Sequence, residues 1–391
     1  MTTTAIPTTL LGSPEHQAFR ASVRAFVENE INPYADAWEG AGTWPAHEVL
    51  PKLAAIGALG LEYDEEYGGQ GADHSFTVVL AEELGRADCA GVPMGIAVQA
   101  GMATPALHKY GSHDLKKRYL EPAMRGEMVC SIGVSEPEAG SDVAGFRTRA
   151  RLDGDSWVID GRKMWITNGS QADWVCLLTK TSDEPGYNGM TMILVPTSTP
   201  GFSVGRTITK MGNNSSDTAE LVLDGVRVPV ANTIGEVGRG FYQQMEQFQD
   251  ERLVGAYMAV SGSRRALDRT IDYLQMREAF GKPLLANQHI QYRLAELAAE
   301  VDVVHEYCLA AAARKVAGED VTKMATIAKL KAGRVSCEVA DAAVQYHGGM
   351  GYAEDLWVAR YFRDTRLIRI GGGADEVMLR VLALFEGMGR R

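Results

Sequence analysis

No stretch of this chain approaches the about 18 consecutive apolar residues that a membrane-spanning helix needs. The opening residues, MTTTAIPTTLLG, have neither the charged region and long apolar stretch of a secretory signal nor the arginines of a transit peptide. Cysteine is scarce and odd in number. Cys89, Cys130, Cys176, Cys308 and Cys337 are scattered without a C-x-x-C pair, which argues against a disulfide framework or a metal site and predicts reduced thiols buried as small apolar groups. These absences lead us to expect a cytoplasmic protein that does not engage a membrane. Basic residues are outnumbered, 39 Lys and Arg against 50 Asp and Glu, and the formal charge of −11 argues against unaided binding to nucleic acid or an anionic membrane surface. An anionic substrate stays possible, because a local cationic site can sit on an acidic protein. There is no intact G-x-G-x-x-G, no Walker A loop and no G-x-S-x-G elbow, which disfavours a Rossmann dehydrogenase and an α/β-hydrolase. Internal repeats and low-complexity tracts are also missing.

What is present is an ordinary globular composition, 46% hydrophobic and 23% charged over 391 residues, enough chain for two or three domains. Ser13-Pro14 reads as a helix start, with Phe19, Val23, Phe26 and Val27 following on one face. Further helical patterns cover 46–60, 74–88 and 100–125. The middle third changes period. Residues 146–152 alternate, and 156–166 carry Asp160-Gly161 between two β-rich runs, which predicts a hairpin. Segments 174–179, 190–196 and 219–229 continue the strand pattern, with a second Asp-Gly turn at Asp224-Gly225. Strands without intervening helices predict an antiparallel sheet or barrel. From Phe241 onward, helical segments near 241–277, 288–317, 322–347 and 364–386 predict a four-helix bundle. The expected fold class is α+β and multidomain: an N-terminal helical domain (1–126), a middle antiparallel β domain (127–238) and a C-terminal four-helix bundle (239–391).

Four segments are candidates for chemistry, and each has a bland reading when taken alone. Val134-Ser-Glu-Pro-Glu-Ala-Gly-Ser-Asp142 is a polar turn-forming loop, and Lys163-Met-Trp-Ile-Thr-Asn168 is a strand with a half-buried Trp. Arg277-Glu-Ala-Phe-Gly-Lys282 leaves a long helix, and Gln345-Tyr-His-Gly-Gly-Met-Gly-Tyr352 is a glycine helix stop. In this order on a helix–strand–helix plan, together with Lys210-Met-Gly212 and Ser216-Asp-Thr218, they resemble the acyl-CoA dehydrogenase family from about residue 14 to 385. The resemblance implies that family's fold, a homotetramer, and FAD between the β domain and the bundle. The implied activity is dehydrogenation of an acyl-CoA to the 2-enoyl-CoA, with an electron-transfer flavoprotein as acceptor. By matching motif positions, Ile132, Val134, Ser135, Gly140 and Ser141, with Trp165, Ile166 and Thr167, would wrap the flavin: backbone N–H groups and hydroxyls bond ring polar atoms, and Trp165 offers a flat wall. Arg277, Phe280, Gln288, Gln345, Gly348 and Gly349 match positions for the ADP half, largely from a neighbouring subunit, with Arg277 suited to pyrophosphate. Ala374 and Glu376 match flavin-side positions. Glu138 departs from the Gly of many relatives.

Oxidising a saturated thioester requires a base at the α-carbon, a hydride acceptor and donors to the thioester oxygen. In many relatives the base is a Glu eight residues after the Asp of an Arg-Asp pair. Here Arg363-Asp364 leads to Gly372, within Ile370-Gly-Gly-Gly-Ala-Asp-Glu376. The long-chain and isovaleryl types instead carry Glu-Arg on the helix that opens the bundle, and Gln249-Asp-Glu-Arg-Leu253 puts Glu251 there. Without the resemblance Glu251 reads as a surface carboxylate with a cationic neighbour. With it, Glu251 is the expected base, its pKa raised by burial; the rival Asp250 should point about 100° away around the helix. Gly372 retains a backbone N–H for the thioester oxygen. Gly371 and Gly372 remove bulk near the reacting carbons, which suggests a long or branched substrate. Ser141, Gln249, Arg252 and Gly371 match substrate-contacting positions, although Arg252 serves an intersubunit ion pair equally well. An oxidase or carrier-protein-linked dehydrogenase on the same fold, or a silent FAD- or acyl-CoA-binding member, are the competing readings.

Overall fold

Ser13 caps the first helix, Pro14–Phe26: its hydroxyl accepts the N–H of His16 at 3.3 Å, and Pro14 takes the first helical position, where no N–H is needed. The computed structural model describes residues 10–389 except Pro185; residues 1–9, most of the opening segment considered above, and 390–391 lie outside the described residues. Val23, Phe26 and Val27 are buried, with Phe19 packed against them. The helix expected over 46–60 ends at Ala55, and the one over 74–88 ends at Leu84. The latter begins at Asp73, whose carboxylate accepts the Ser75 N–H at 2.8 Å. The helix expected over 100–125 is divided. Gly91–Gly101 and Pro105–Tyr110 are separate helices, because Pro105 has no N–H to continue the first, and helical turns from His113 to Met124 follow.

The middle of the chain forms an eight-stranded sheet. Along it lie Phe202–Thr207, Thr218–Pro229, Ser156–Thr167, Arg149–Asp153, Trp174–Lys180, Met190–Pro196 and Thr233–Ile234, while Cys130–Gly133 pairs with the Trp174 strand. The pairing is mainly antiparallel. Cys130–Gly133 joins parallel to Trp174–Leu177, and Arg149 makes a single parallel pair with Lys180. Alternation explains why the central strands read as unbroken apolar runs. Trp174, Cys176 and Leu178 enter a core shared with the N-terminal helices, whereas Val175 and Leu177 enter a second core on the opposite face.

The hairpin expected at Asp160-Gly161 is not formed, nor is a turn at Asp224-Gly225. Each Asp-Gly lies inside one long strand, and the two strands pair with each other through a register shift between Ile159 and Gly161. Asp160 accepts the N–H of Gly225, at φ +61°, across the pair at 2.7 Å. At Gly161 a Cβ would meet Thr148 Oγ1 at 2.4 Å, so no side chain fits. The Asp-Gly chemistry therefore serves a β-bulge. The real hairpin turn is Gly154-Asp155, closed by the Asp153–Ser156 pair.

The C-terminal part is built on the long helices Gly240–Met276, Gln288–Val316 and Thr322–His347. The fourth, expected as one helix over 364–386, is broken. Trp357–Thr365 runs into a 3-10 turn, Arg366–Arg369, and Asp375–Phe385 follows a glycine corner. Gly372 (φ +62°) and Gly373 (φ +99°) lie in the left-handed region, which a helix cannot pass through. Val78 and Ala81 of the N-terminal part share a core with Leu253 and Ala256, so the long helix is packed from both sides. Among the described residues no helix is long and apolar enough to cross a membrane. All five cysteines are free, four of them buried.

Candidate active site

A cavity of about 410 Å³ opens where the N-terminal helices, the sheet and the C-terminal helices meet. The sheet contributes Ile132, Trp165 and Thr167, the loop after its Cys130–Gly133 strand contributes Ser135, and the C-terminal part contributes Glu251, Arg252, Lys329, Gly371 and Gly372. Burial in this wall pushes the Glu251 carboxyl up to about 8; the Gln247 amide and the Arg252 cation pull weakly the other way. Asp250 points elsewhere and pairs with Lys315 at 2.5 Å, as the helical turn requires. Burial lowers the pKa of Arg252, opposed by Glu251, and its Nε is buried with no partner among the described residues. An orphan donor in the cavity wall is suited to a ligand oxygen.

Backbone irregularity sets the facing wall. The strand Ser156–Thr167 slips register between Lys163 and Ile166, and Trp165 takes φ +66°. That bulge turns the Trp165 ring into the cavity, 56% exposed, and sends the Ile166 side chain into the sheet core. Of Ile166, then, only the backbone is left to face a cofactor. Below the loop that starts at Val134 sits a buried ion pair. Lys163 Nζ lies 2.8 Å from Glu136 Oε1 and donates to the Val134 carbonyl at 3.0 Å. Glu136 also accepts the N–H groups of Arg147 (2.6 Å) and Thr148 (3.1 Å). Burial pulls the Lys163 ammonium down to about 8, with Glu136 opposing. The pair closes both ends of the loop onto the strand that carries Trp165. The Met164 N–H, which donates to the Ser135 carbonyl at 2.9 Å, adds a backbone tie.

At the glycine corner, Lys329 Nζ donates to the Gly373 carbonyl. Lys329 is 3% exposed, and burial brings its pKa down to about 8. Asp375 starts the last helix and is gripped by Arg334 (3.3 Å) and Arg369 (3.0 Å). A Cβ on Gly372 would meet nothing within 4 Å, so its peptide borders open space. Deeper in, burial pushes Asp364 up to about 7, while it accepts the N–H groups of Asn213 (2.5 Å) and Ala90 (3.1 Å).

Several expected residues stand outside the cavity lining. Val134, Gly140 and Ser141 belong to the loop beside it, the last two exposed, and Glu138 is 3.9 Å from Arg147. Gln249 is half-buried but not on the lining, Ala374 precedes the last helix, and Glu376 is exposed in its first turn. Arg277, Phe280, Gln288, Gln345, Gly348 and Gly349 are all exposed. Arg277 follows Glu251 by 26 positions at the far end of one helix, about 39 Å away at 1.5 Å per residue. Gln247, Lys329 and Asp364 were not singled out by sequence reasoning as parts of the site. A lysine or glutamine on an amphipathic helix carries no signal of which way it faces.

A largely apolar cavity with a carboxyl that holds its proton at neutral pH is the arrangement of an enzyme active site. Comparison with known proteins makes this specific. The family pattern "Acyl-CoA dehydrogenase, N-terminal domain" matches residues 13–127, the "middle domain" 131–226 and the "C-terminal domain" 238–385. The mitochondrial long-chain specific acyl-CoA dehydrogenase of Sus scrofa is 34% identical over 374 residues, covering 95% of this chain and 86% of that protein. The crystal structure of a probable acyl-CoA dehydrogenase from Mycobacterium abscessus superposes with a TM-score of 0.93 at 40% identity, covering 96% of this chain and all of that one (100%). A glutaryl-CoA dehydrogenase of Mycobacterium smegmatis in complex with FADH2 superposes with a TM-score of 0.91 at 29% identity, covering 98% of each chain. The chain belongs to the acyl-CoA dehydrogenase family and is an oxidoreductase whose cofactor is FAD. The site fits that cofactor: an exposed indole on the lining with Ser135 and Thr167 suits a flat polar-edged ring.

Proposed function

We propose that this enzyme dehydrogenates the Cα–Cβ bond of an acyl-CoA thioester to the 2-enoyl-CoA, with Glu251 taking the α-proton. The observation that carries the reading is the Glu251 carboxyl on the cavity wall, pushed up to about 8 and so matched to a general base near neutral pH. FAD, when bound, supplies the acceptor for the β-hydride. The Gly372 N–H donates to the thioester oxygen and stabilises the charge that develops there as the proton leaves. Trp165 and the apolar wall exclude water from the reacting carbons, and the free Nε of Arg252 takes a substrate oxygen. Two glycines, Gly371 and Gly372, leave room for a long chain or a β-branch. The likeness to a long-chain specific relative supports the long chain.

The units 1–126, 127–238 and 239–391 assemble as a homotetramer in this reading, a cytoplasmic enzyme that passes electrons to an electron-transfer flavoprotein. Support for shared sites comes from the long helix. Arg277 stands too far from Glu251 to serve the same flavin, so Arg277, with Phe280, Gln288 and the Gln345–Gly349 stretch, completes a neighbour's site. The test is spectroscopic: under argon, long-chain or 3-methyl acyl-CoAs should bleach the flavin band. A panel that bleaches nothing would sink the reading, and peroxide formed in air would redirect it to an oxidase.

A further inference from the structure

The cavity continues well past the reacting end. Glu251, Gly255, Ala259, Gly262, Arg265 and Arg269 all line it and recur every three or four residues on the Gly240–Met276 helix, which makes them one face. The cavity therefore follows that helix. From Glu251 to Arg265 it runs about 21 Å, and to Arg269 about 27 Å. Glycine and alanine keep this face open between the ends, and Val98, Met102, Leu367 and Ile368 add apolar side chains to the lining. Such a channel suits a polymethylene chain.

Its far end is not apolar. Arg265 Nη2 (2.9 Å) and Arg269 Nη1 (2.8 Å) both rest on one oxygen of Asp88, Oδ1. The Arg269 guanidinium also lies 4.2 Å from the centroid of the Trp357 ring, and Arg360 donates to the Asp88 carbonyl at 3.0 Å. Arg360 has its own carboxylate, Asp36. Two guanidiniums thus share a single carboxylate, leaving one net positive charge and several unused N–H donors. All three side chains are partly exposed, at 22% for Arg265, 33% for Arg269 and 29% for Asp88, so the channel end is wet enough for a charged group to reach without full desolvation.

We propose that this channel takes long acyl thioesters whose far end bears a carboxylate, with Arg265 and Arg269 as the anchor for that ω-carboxylate. The proposal rests on the reading of Glu251 as the base, which fixes where the thioester end lies. A methyl-ended chain gains only its apolar burial; an ω-carboxylate adds charge-assisted hydrogen bonds and neutralises the excess guanidinium.

Hexadecanoyl-CoA and hexadecanedioyl-CoA, equal in length and different only at the ω-end, test this on the FAD-loaded enzyme. Wild type should favour the dioyl thioester in kcat/KM by roughly tenfold or more, mostly through KM. That preference should collapse in Arg269→Gln, invert in Arg269→Glu and return in part in Arg269→Lys. Equal kcat/KM values, or a preference for the methyl-ended chain, overturn the proposal. The wild-type ratio decides even where a variant fails to fold. Failure of both thioesters to reduce the flavin would instead bring down the dehydrogenase reading, and with it this one.

Discussion

Gln247 stands one helical turn before Glu251, and its side-chain amide donates to the Glu251 carboxyl at 3.3 Å while also donating to the Met102 carbonyl at 2.6 Å. Glu251 has no other side-chain hydrogen bond among the described residues, and this long one stabilises the anion little. The carboxyl is thus oriented without being quenched. Glu251→Gln should preserve flavin binding and lower the rate of flavin reduction by roughly 10²–10⁴-fold. Stopped-flow reduction under argon is the measurement, and an undiminished rate would remove Glu251 from the mechanism.

The raised carboxyl also fixes two pH dependences. As a base Glu251 must be ionised, so kcat/KM of wild type should climb with pH and level off above about 8. Stability runs the other way. A folded-state pKa above the unfolded one means a stabilising contribution that is complete below the ordinary carboxylate range and is lost as pH rises through about 8. Glu251→Gln, free of that loss, should gain in Tm relative to wild type as pH goes from about 5 to 9. Parallel melting curves across that range would reveal a carboxyl in contact with bulk water.

The buried Glu136–Lys163 pair holds the loop that starts at Val134 to the strand of Trp165. Lys163→Met leaves Glu136 buried without its cation and should cost about 3–5 kcal/mol. Replacing both, Glu136→Gln with Lys163→Met, should recover much of the stability yet still release FAD more readily, because the N–H groups of Arg147 and Thr148 then meet a neutral acceptor. Thermal melts and the flavin retained after gel filtration separate the two effects.

Lys329 acts through the glycine corner and is a positioning residue. Lys329→Met loses the bond to the Gly373 carbonyl and loosens the Gly372 peptide, the proposed donor to the thioester oxygen. A fall in kcat with KM nearly constant is expected, and Lys329→Arg should rescue it in part. A rise in KM alone would mean that Lys329 binds substrate instead.

How far the sequence could be read depends on the kind of signal. The strands at 174–179 and 190–196 were legible because both of their faces are buried, which leaves an unbroken apolar run. Trp165 and Glu251 were legible through motif position, and the structure adds why they face the cavity: a bulge for one, a helical turn for the other. The two Asp-Gly pairs misled, since a turn signal and a bulge signal are the same residues and only the partner strand distinguishes them. The break at Gly371–Gly373 lay hidden inside an otherwise helical period. Contacts such as Lys163 with Glu136, 27 positions apart, or Lys329 with Gly373, exist only once the chain has closed.

The 37-residue helix Gly240–Met276 carries the carboxyl about a third of the way along and leads into Arg277 at its end. In the proposed tetramer, one helix thereby serves two catalytic centres, and damage at the two positions is separable. Co-expressed chains, one Glu251→Gln and the other Arg277→Gln, each defective alone, should complement each other, because the second chain's centre keeps its own carboxyl and borrows an intact guanidinium from the first.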